Sequence, residues 1–336
     1  DSILSEVASL DERAVVTGGG LGVGASAGAI LSSEGIESSG VTTSHGIGVQ
    51  VSIEADDELT SSYEGESSRK RLQHVPDCVS VAVDWAQKTR GPIEVNSEAH
   101  DTPVLMTSEG FSPLFSMVVP SAIRGDRLVR NESFWSGKQG EMVLAKHLSL
   151  IDDGRLEGGK SASARDAEGV PTRRQTLVDQ GRLVGSLWST RDAAQQVAEG
   201  RIDHAQTNGC AVRGGHQSPP STGCSDLQMI SSVKSSSQEA LLERMEEGYI
   251  VHSVMGAHTA NPTSGDFSVT TSTLLRVEGG EVIGPVKQAG LSGNLAKALS
   301  NDVHLGDEVR VQGSYSSGNM HLPDVLLMQG LRINPV

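Results

Sequence analysis

The chain has 336 residues, enough for two domains and a sizeable buried core. Only 3% of residues are aromatic and 36% hydrophobic, with 39 glycines, so the core has to be built from Val, Leu, Ile and Ala in a composition that leans toward strands and loops. Acids outnumber bases 42 to 27, a formal net charge of −15, which excludes nucleic acid as the main partner because phosphate binding depends on Lys and Arg displacing counterions.

In chain order, residues 1–12 place Ile3, Leu4, Val7, Ala8 and Leu10 at helical spacing. The chain opens inside this helix without an initiator Met, so the natural N-terminus is expected upstream. Residues 14–17 read as a short strand, and the Gly-rich run 18–28 as a flexible loop. Residues 29–37 read as strand, Glu-Gly turn and strand, and 41–54 as extended, with Val49, Val51 and Ile53 alternating against polar neighbours. An exposed Ser- and charge-rich segment is expected over 56–71. Pro76 precedes a helix over 77–90, with Val79, Val83 and Ala86 on one face.

A strand follows over 104–107, then a break at Ser112-Pro113 and a helical segment from Leu114. Beyond Asn131 come short apolar strands, among them 148–151, 174–178, 183–188, 269–277 and 309–313. Two helices stand out there, 190–199 and 236–247, the second with Leu241, Leu242 and Met245 on one side. The expected class is α+β: a mixed α/β domain over 1–130, then a β-rich domain over 131–336 forming a curled antiparallel sheet or partial barrel.

No stretch approaches the ~20 apolar residues that cross a bilayer, and no signal peptide is recognisable. Cys78, Cys210 and Cys224 are odd in number and widely spaced, which points to a reducing compartment. The expected location is cytoplasmic, with no membrane partner.

Chemistry is sparse. Gly20, Gly22 and Ala25 fit a loose G-x-G-x-x-A, but the Ser- and Gly-rich stretch behind them lacks the helix that a dinucleotide loop needs. A helical metal site needs paired histidines on one face; His147 has no second His three to five residues away. Cys210, His216 and Cys224 share a Gly- and Pro-rich loop but lack the close Cys pairs of structural zinc sites. His252 and His258, flanking a strand end, read as hydrogen-bonding side chains. No G-x-S-x-G elbow is present; Leu291-Ser-Gly-Asn and Met320-His-Leu-Pro-Asp do not supply one.

One segment is distinctive: His258-Thr-Ala-Asn-Pro-Thr-Ser-Gly-Asp-Phe-Ser-Val, where Asn-Pro forces an extended entry, Ser-Gly-Asp turns and Phe-Ser-Val begins a strand. It resembles the NP-x-[ST]-GDFS block of the TldE/PmbA family. The resemblance continues through Leu275-Arg-Val-Glu-Gly-Gly-Glu-Val-Ile-Gly-Pro-Val and Leu291-Ser-Gly-Asn-Leu. Upstream, Ile151-Asp-Asp-Gly, Asp166-Ala-Glu-Gly-Val-Pro-Thr-Arg-Arg and Ala211-Val-Arg-Gly-Gly-His-Gln-Ser-Pro-Pro fall in family order, as does the closing Pro323-Asp-Val-Leu-Leu-Met-Gln-Gly-Leu-Arg-Ile. The match is strong from about residue 130 to 333. The first region matches loosely and looks shortened, without the opening strands and helix usual in the family.

The resemblance implies the non-metal subunit of a heterodimeric peptidase that cleaves small or unfolded peptides. A TldD-like partner would bring an HExxxH helix and the catalytic zinc or similar ion, and this chain would hold no cofactor. Where a TldD chain carries HExxxH, this one reads Phe134-Trp-Ser-Gly-Lys-Gln-Gly-Glu-Met-Val-Leu-Ala, with no His. The expected role is to close the cavity around the partner's metal and admit extended chains by strand addition. Candidates for that interface are Arg213, His258, Asn261, Gly265, Asp266, Phe267, Ser268 and Asn294; against this stands a structural reading, Asn261 and Asp266 capping turns and Phe267 filling the core. No residue is expected to be catalytic or metal-ligating. The alternatives are a homodimeric peptide- or protein-binding module without peptidase activity, and an independent enzyme using the glycine run or the Cys/His scatter.

Overall fold

The computed structural model describes residues 2–71, 77–95, 101–215, 217–314 and 317–335. Pro76 and His216 therefore lie outside the described residues. The chain divides into two compact units, Asp1–Glu94 with Gly284–Val286, and Val95–Ile283 with Lys287–Val336. Residues 101–130, placed with the first region from sequence, belong to the second unit.

In the first unit, helix α1 (Ser2–Leu10) leads into strands β1 (Ala14–Leu31), β2 (Glu37–Ala55) and β3 (Glu58–Ser68), and helix α2 (Cys78–Lys88) follows. The strands form an antiparallel sheet in the order β1-β2-β3. Alternation puts Ile47, Val49, Val51 and Ile53 on one face, where they pack with Val7 of α1 and with Val79, Ala82, Val83 and Ala86 of α2. Thr60 Oγ1 on β3 ties the layers by donating to the Ala86 carbonyl at 2.6 Å.

Two expectations are corrected here. The glycine run is strand, paired residue for residue with β2 from Gly18↔Gln50 to Leu31↔Glu37. The segment expected to be an exposed loop over 56–71 is largely β3, paired from Ala55↔Glu58 to His45↔Ser68. Gly and Ser have weak strand propensity, but β2 supplies a ladder that their backbones complete, and context overrides propensity. A bulge between Val16 and Gly18 needs glycine at Gly19, whose φ is +133° and whose Cβ would sit 2.3 Å from the Gly48 carbonyl oxygen.

The second unit begins with β4 (Val104–Met106), α3 (Ser108–Ala122) and α4 (Gly125–Val129), then β5 (Leu148–Asp153), β6 (Arg174–Asp179), β7 (Arg182–Leu183) and α5 (Thr190–Ala198). A small ribbon, β8 (Ala211–Val212) with β9 (Ser221–Thr222), precedes β10 (Asp226–Ser231), α6 (Gln238–Met245) and β11 (Gly248–Met255). After a 3-10 turn at Ala257–Thr259 come β12 (Asp266–Glu278), β13 (Glu281–Val286), β14 (Ala289–Asn294), α7 (Leu295–Ser300), β15 (Val303–Gly313), β16 (Asn319–Leu327) and β17 (Leu331–Pro335).

Twelve of these strands form one sheet, with the path β17-β14-β12-β11-β4-β16-β10-β5-β6-β7, β13 beside β12 and β15 beside β16. Most neighbours are antiparallel, but β10 with β16 and β11 with β4 are parallel. The class is α+β as expected; the sheet is mixed, and among the described residues no pairing closes it into a barrel.

α3 is the core helix, packed on β11 and β16. Thr107 caps it, its hydroxyl accepting from Gly110 N–H at 3.3 Å. The break expected at Ser112-Pro113 is absent: α3 runs through Pro113 and Pro120. Phe111, Leu114, Phe115, Val118 and Val119 are all buried. At ~1.5–3 kcal/mol each they outweigh the ~3 kcal/mol cost of an interior proline. α4 and α7 were not anticipated, and the strand expected over 183–188 is only β7. Residues 134–145 are turns and bends without helix, around the buried Trp135.

Candidate functional site

The Asn261–Ser268 segment is a closed turn feeding β12. Asn261 Oδ1 accepts from the Thr263 and Ser264 N–H groups at 2.9 and 3.3 Å, Gly265 N–H donates to the Asn261 carbonyl at 2.8 Å, and Asn261 N–H to the Asp266 carbonyl at 2.8 Å. Gly265, buried with φ +81°, turns the chain where a Cβ would crowd Ala296 at 3.3 Å.

Asn294, cross-strand to Asp266, locks the turn to β14. Its Nδ2 donates to Asp266 Oδ1 at 2.7 Å and to the Ser264 carbonyl at 2.9 Å, while its Oδ1 caps α7 by accepting from Lys297 N–H at 3.0 Å. Hydrogen bonds from Ser264 and then Asn294 hold the Asp266 carboxyl below the usual range.

The structure therefore brings Asn261, Gly265, Asp266, Phe267, Ser268 and Asn294 together, with His258 nearby in the 3-10 turn. Phe267 is buried, whereas His258, Asn261, Asp266 and Ser268 are exposed. Arg213 is exposed and follows β8, in the separate ribbon.

The backbone of this segment is itself paired. Residues 266–270 are paired with β14 on one side, and on the other Asn261 N–H reaches the Asp266 carbonyl before β11 pairing starts at Thr270. β12 is an interior strand of the sheet.

A second polar constellation escaped the sequence reading. Asp226, fully buried at the start of β10, has Oδ1 2.9 Å from His321 Nε2 on β16 and Oδ2 accepting from Ser161 N–H at 3.0 Å. Ser161 Oγ accepts from Asn319 Nδ2 at 2.7 Å. Asp152, on the neighbouring β5, accepts from Ser225 N–H at 2.7 Å. Burial pushes the Asp152 carboxyl up to about 7, the Ser225 hydrogen bond opposing and the charges of Asp226 and Asp153 adding to the rise.

Cys210 and Cys224 are both buried beside this cluster, Cys210 donating to Asn208 Oδ1 at 3.0 Å and Cys224 to the Ser317 carbonyl at 3.1 Å. Burial, then the negative charge of Asp152, raises both thiols well above the ordinary range. A protonated thiol is a poor nucleophile and a poor metal ligand. Among the described residues no hydroxyl or thiol is hydrogen-bonded to His321, so the Asp226–His321 pair lacks the nucleophile of a triad.

His252 lies inside β11, buried, its Nδ1 3.0 Å from Thr107 Oγ1. Next to that pair, Asp324 Oδ1 accepts from Ser108 N–H at 2.8 Å, and burial raises its carboxyl. These contacts fasten the start of α3 to β11 and β16. Among the described residues, no three or more His, Cys, Asp or Glu side chains are arranged to hold a metal ion.

A family model described as the PmbA/TldA metallopeptidase C-terminal domain matches residues 99–333, which defines the class as metallopeptidase-related. The chain belongs to the PmbA/TldD family of metallopeptidase-related proteins. It is 25% identical over 307 residues to an uncharacterized protein of Methanocaldococcus jannaschii, covering 91% of this chain and 68% of that one. To the metalloprotease PmbA of Escherichia coli O157:H7 it is 25% identical over 246 residues, 73% of this chain and 50% of PmbA. The chain thus spans half the length of that relative. In structure it is similar to TldE from Thermococcus kodakarensis, with a TM-score of 0.87 at 23% identity over 99% of this chain and 72% of TldE, a likeness of fold. A modulator of DNA gyrase, so described, from Thermotoga maritima gives 0.83 at 25% identity over 98% of this chain and 72% of that one.

Proposed function

We propose that the chain is the TldE/PmbA-type subunit of a two-subunit metallopeptidase acting on small or unfolded peptides, a partner and scaffold to a TldD-like subunit that carries HExxxH and the catalytic zinc or similar ion. The carrying observation is the donor set of this chain. An HExxxH site needs two imidazoles and a carboxylate on one helical face. The core helix α3 contains Glu109 but no His or Cys, and residues 134–145 carry no His and form no helix. Among the described residues no three or more His, Cys, Asp or Glu side chains are arranged to hold a metal ion.

In this reading the exposed side chains of His258, Asn261, Asp266 and Ser268 offer a polar contact for the partner or the peptide, with Gly265, Phe267 and Asn294 shaping the turn behind them; Arg213 is a separate candidate. A cytoplasmic location is part of the proposal. Its support is that Cys78, Cys210 and Cys224 are buried and not disulfide-bonded, and no helix among the described residues is long and apolar enough to cross a membrane.

The test is co-purification with an HExxxH-bearing subunit. Peptide hydrolysis is expected from the mixture alone and is lost on chelation. Chelator-sensitive hydrolysis by the pure chain overturns the proposal. A chain that binds peptides as a homodimer and never engages such a subunit supports the alternative, a binding module without peptidase activity.

A further inference from the structure

Acids outnumber bases 42 to 27 in the whole chain, yet residues 154–174 hold five Lys or Arg and three Asp or Glu. This stretch runs from the end of β5 to the start of β6, and its backbone folds back on itself. Gly154 N–H donates to the Arg173 carbonyl at 3.2 Å, Ser163 N–H to the Gly154 carbonyl at 3.0 Å and Thr172 N–H to the Ala164 carbonyl at 3.2 Å, and Arg165 bridges Pro171. β8 is tied alongside, Ala167 N–H donating to the Ala211 carbonyl at 3.0 Å. Arg155, Arg165, Arg173 and Arg174 are thereby gathered in one loop, with Arg213 two residues beyond Ala211.

Their charges are poorly compensated. Among the described residues no carboxylate pairs with Arg155, Arg165, Arg173 or Arg213. Arg165 Nη1 donates to the Gly169 carbonyl at 2.7 Å and Arg173 Nη2 to the Thr207 carbonyl at 3.0 Å, both neutral acceptors. Arg174 meets Asp153 only at 3.7 Å, with its side chain 56% exposed. Elsewhere arginines sit closer to acids, Arg13 to Asp11 at 2.7 Å and Arg124 to Asp126 and Arg201 to Glu199 at 3.0 Å. The loop's own acids are engaged: Asp166 is buried and accepts from the Glu168, Val170 and Ala211 N–H groups, and Glu168 accepts from Thr190 and Arg191 N–H at the start of α5. Of the three only Glu157 is exposed.

We propose that this surface docks an extended peptide segment rich in Asp and Glu. Guanidinium groups suit carboxylates, because their planar fork donates two N–H bonds at once and they are more weakly hydrated than an ammonium. Arg155, Arg173, Arg174 and Arg213 are all exposed, so a passing segment can reach each of them. Nucleic acid fits the surface less well. Its dense phosphate charge would meet the −15 of the whole chain, whereas the few carboxylates of a short segment act within a Debye length of about 8 Å of the patch. The inference is independent of the peptidase reading, since it concerns binding by this chain alone and no hydrolysis.

Fluorescence anisotropy of the isolated chain with a labelled peptide of alternating Glu and Gly tests it, against the same peptide carrying Gln for Glu. The Glu peptide is expected to bind about tenfold tighter at low salt, and the difference should shrink as salt rises. The double substitution Arg155→Gln with Arg173→Gln should weaken the Glu peptide by about tenfold and leave the circular dichroism spectrum unchanged. Arg13→Gln, in the first unit, should leave binding as it is. If the double variant loses its fold, Arg213→Gln carries the same test. Equal binding of the two peptides, or none, overturns the proposal, as does a double variant that binds like the parent. So does tighter binding of a single-stranded oligodeoxynucleotide, which would assign the surface to nucleic acid; each of these outcomes would leave the peptidase reading standing.

Discussion

Asp226 and His321 stand 95 positions apart in the chain, and their side chains meet at 2.9 Å between adjacent parallel strands. The carboxylate is fully buried and holds the 154–163 loop as well, through Ser161 N–H. Gly159 allows that approach, because a Cβ there would lie 2.7 Å from Asp226 Oδ2. Asp226→Ala would take from the part-buried His321 imidazole and the Ser161 backbone N–H the carboxylate that each meets. The expected loss is about 1–3 kcal/mol of stability, the range for leaving hydrogen-bonding groups without their partner. Urea denaturation reads it, and a loss below ~1 kcal/mol would show the pair to be incidental.

Asp152 predicts the opposite of the usual carboxylate behaviour with pH. Its folded-state value is about 7, above the ordinary ~3.9 of an unfolded Asp. Between those values the folded protein holds a proton that the unfolded chain has released, so stability falls as pH rises from about 4 to about 7 and then levels off. Asp152→Asn keeps an oxygen for Ser225 N–H and removes the titration. The variant should lose less stability than the parent between pH 5 and pH 8 in matched denaturation curves; identical curves would contradict the assignment.

Asn294 serves three partners at once: Asp266, the Ser264 carbonyl and the N-terminus of α7. Asn294→Ala removes the cap and the cross-strand link together, and about 1–2 kcal/mol is expected from the cap. Asp266→Asn keeps a hydrogen-bonding group opposite Asn294 and should cost less. Thermal melts of the two variants check the order; a larger effect from Asp266→Asn would point to a role for its charge.

Gly110 is the point where α3 touches β11. A Cβ there would sit 2.6 Å from the Val251 carbonyl oxygen and 3.1 Å from His252. Because both neighbours are backbone, Gly110→Ala has to displace the helix, and the ~1 kcal/mol that Ala gains in helix propensity is overcome by about 1–3 kcal/mol of overpacking. A lowered melting temperature is expected, and an unchanged or raised one would show that α3 can shift freely.

What could be read in the chain was what local periodicity encodes. Val49, Val51 and Ile53 alternate along β2 as expected, and α2, α5 and α6 fall within two residues of their predicted bounds. α6 was marked by the Ser-rich run before it, and Ser237 caps it by accepting from Ala240 N–H at 3.4 Å; Ser189 caps α5 in the same way, accepting from Asp192 N–H at 3.1 Å. The family blocks were legible because the 258–269 turn needs Asn, Gly and Asp at fixed offsets to close. α7 was missed because it is six residues long, with only Leu295, Ala298 and Leu299 facing the core.

By itself the sequence determined the class, the family and the chemistry of the Asn261–Asp266 turn, since each depends on residues close together in the chain. Only the tertiary structure decided that β1 is a strand, that α3 continues through Pro113, that β12 is interior, and that Asp152, Asp226 and His321 share one buried cluster. The physical reason is common to all four: ladder partners, core burial and electrostatic neighbours come from distant segments, and together they outweigh the propensity of any single stretch.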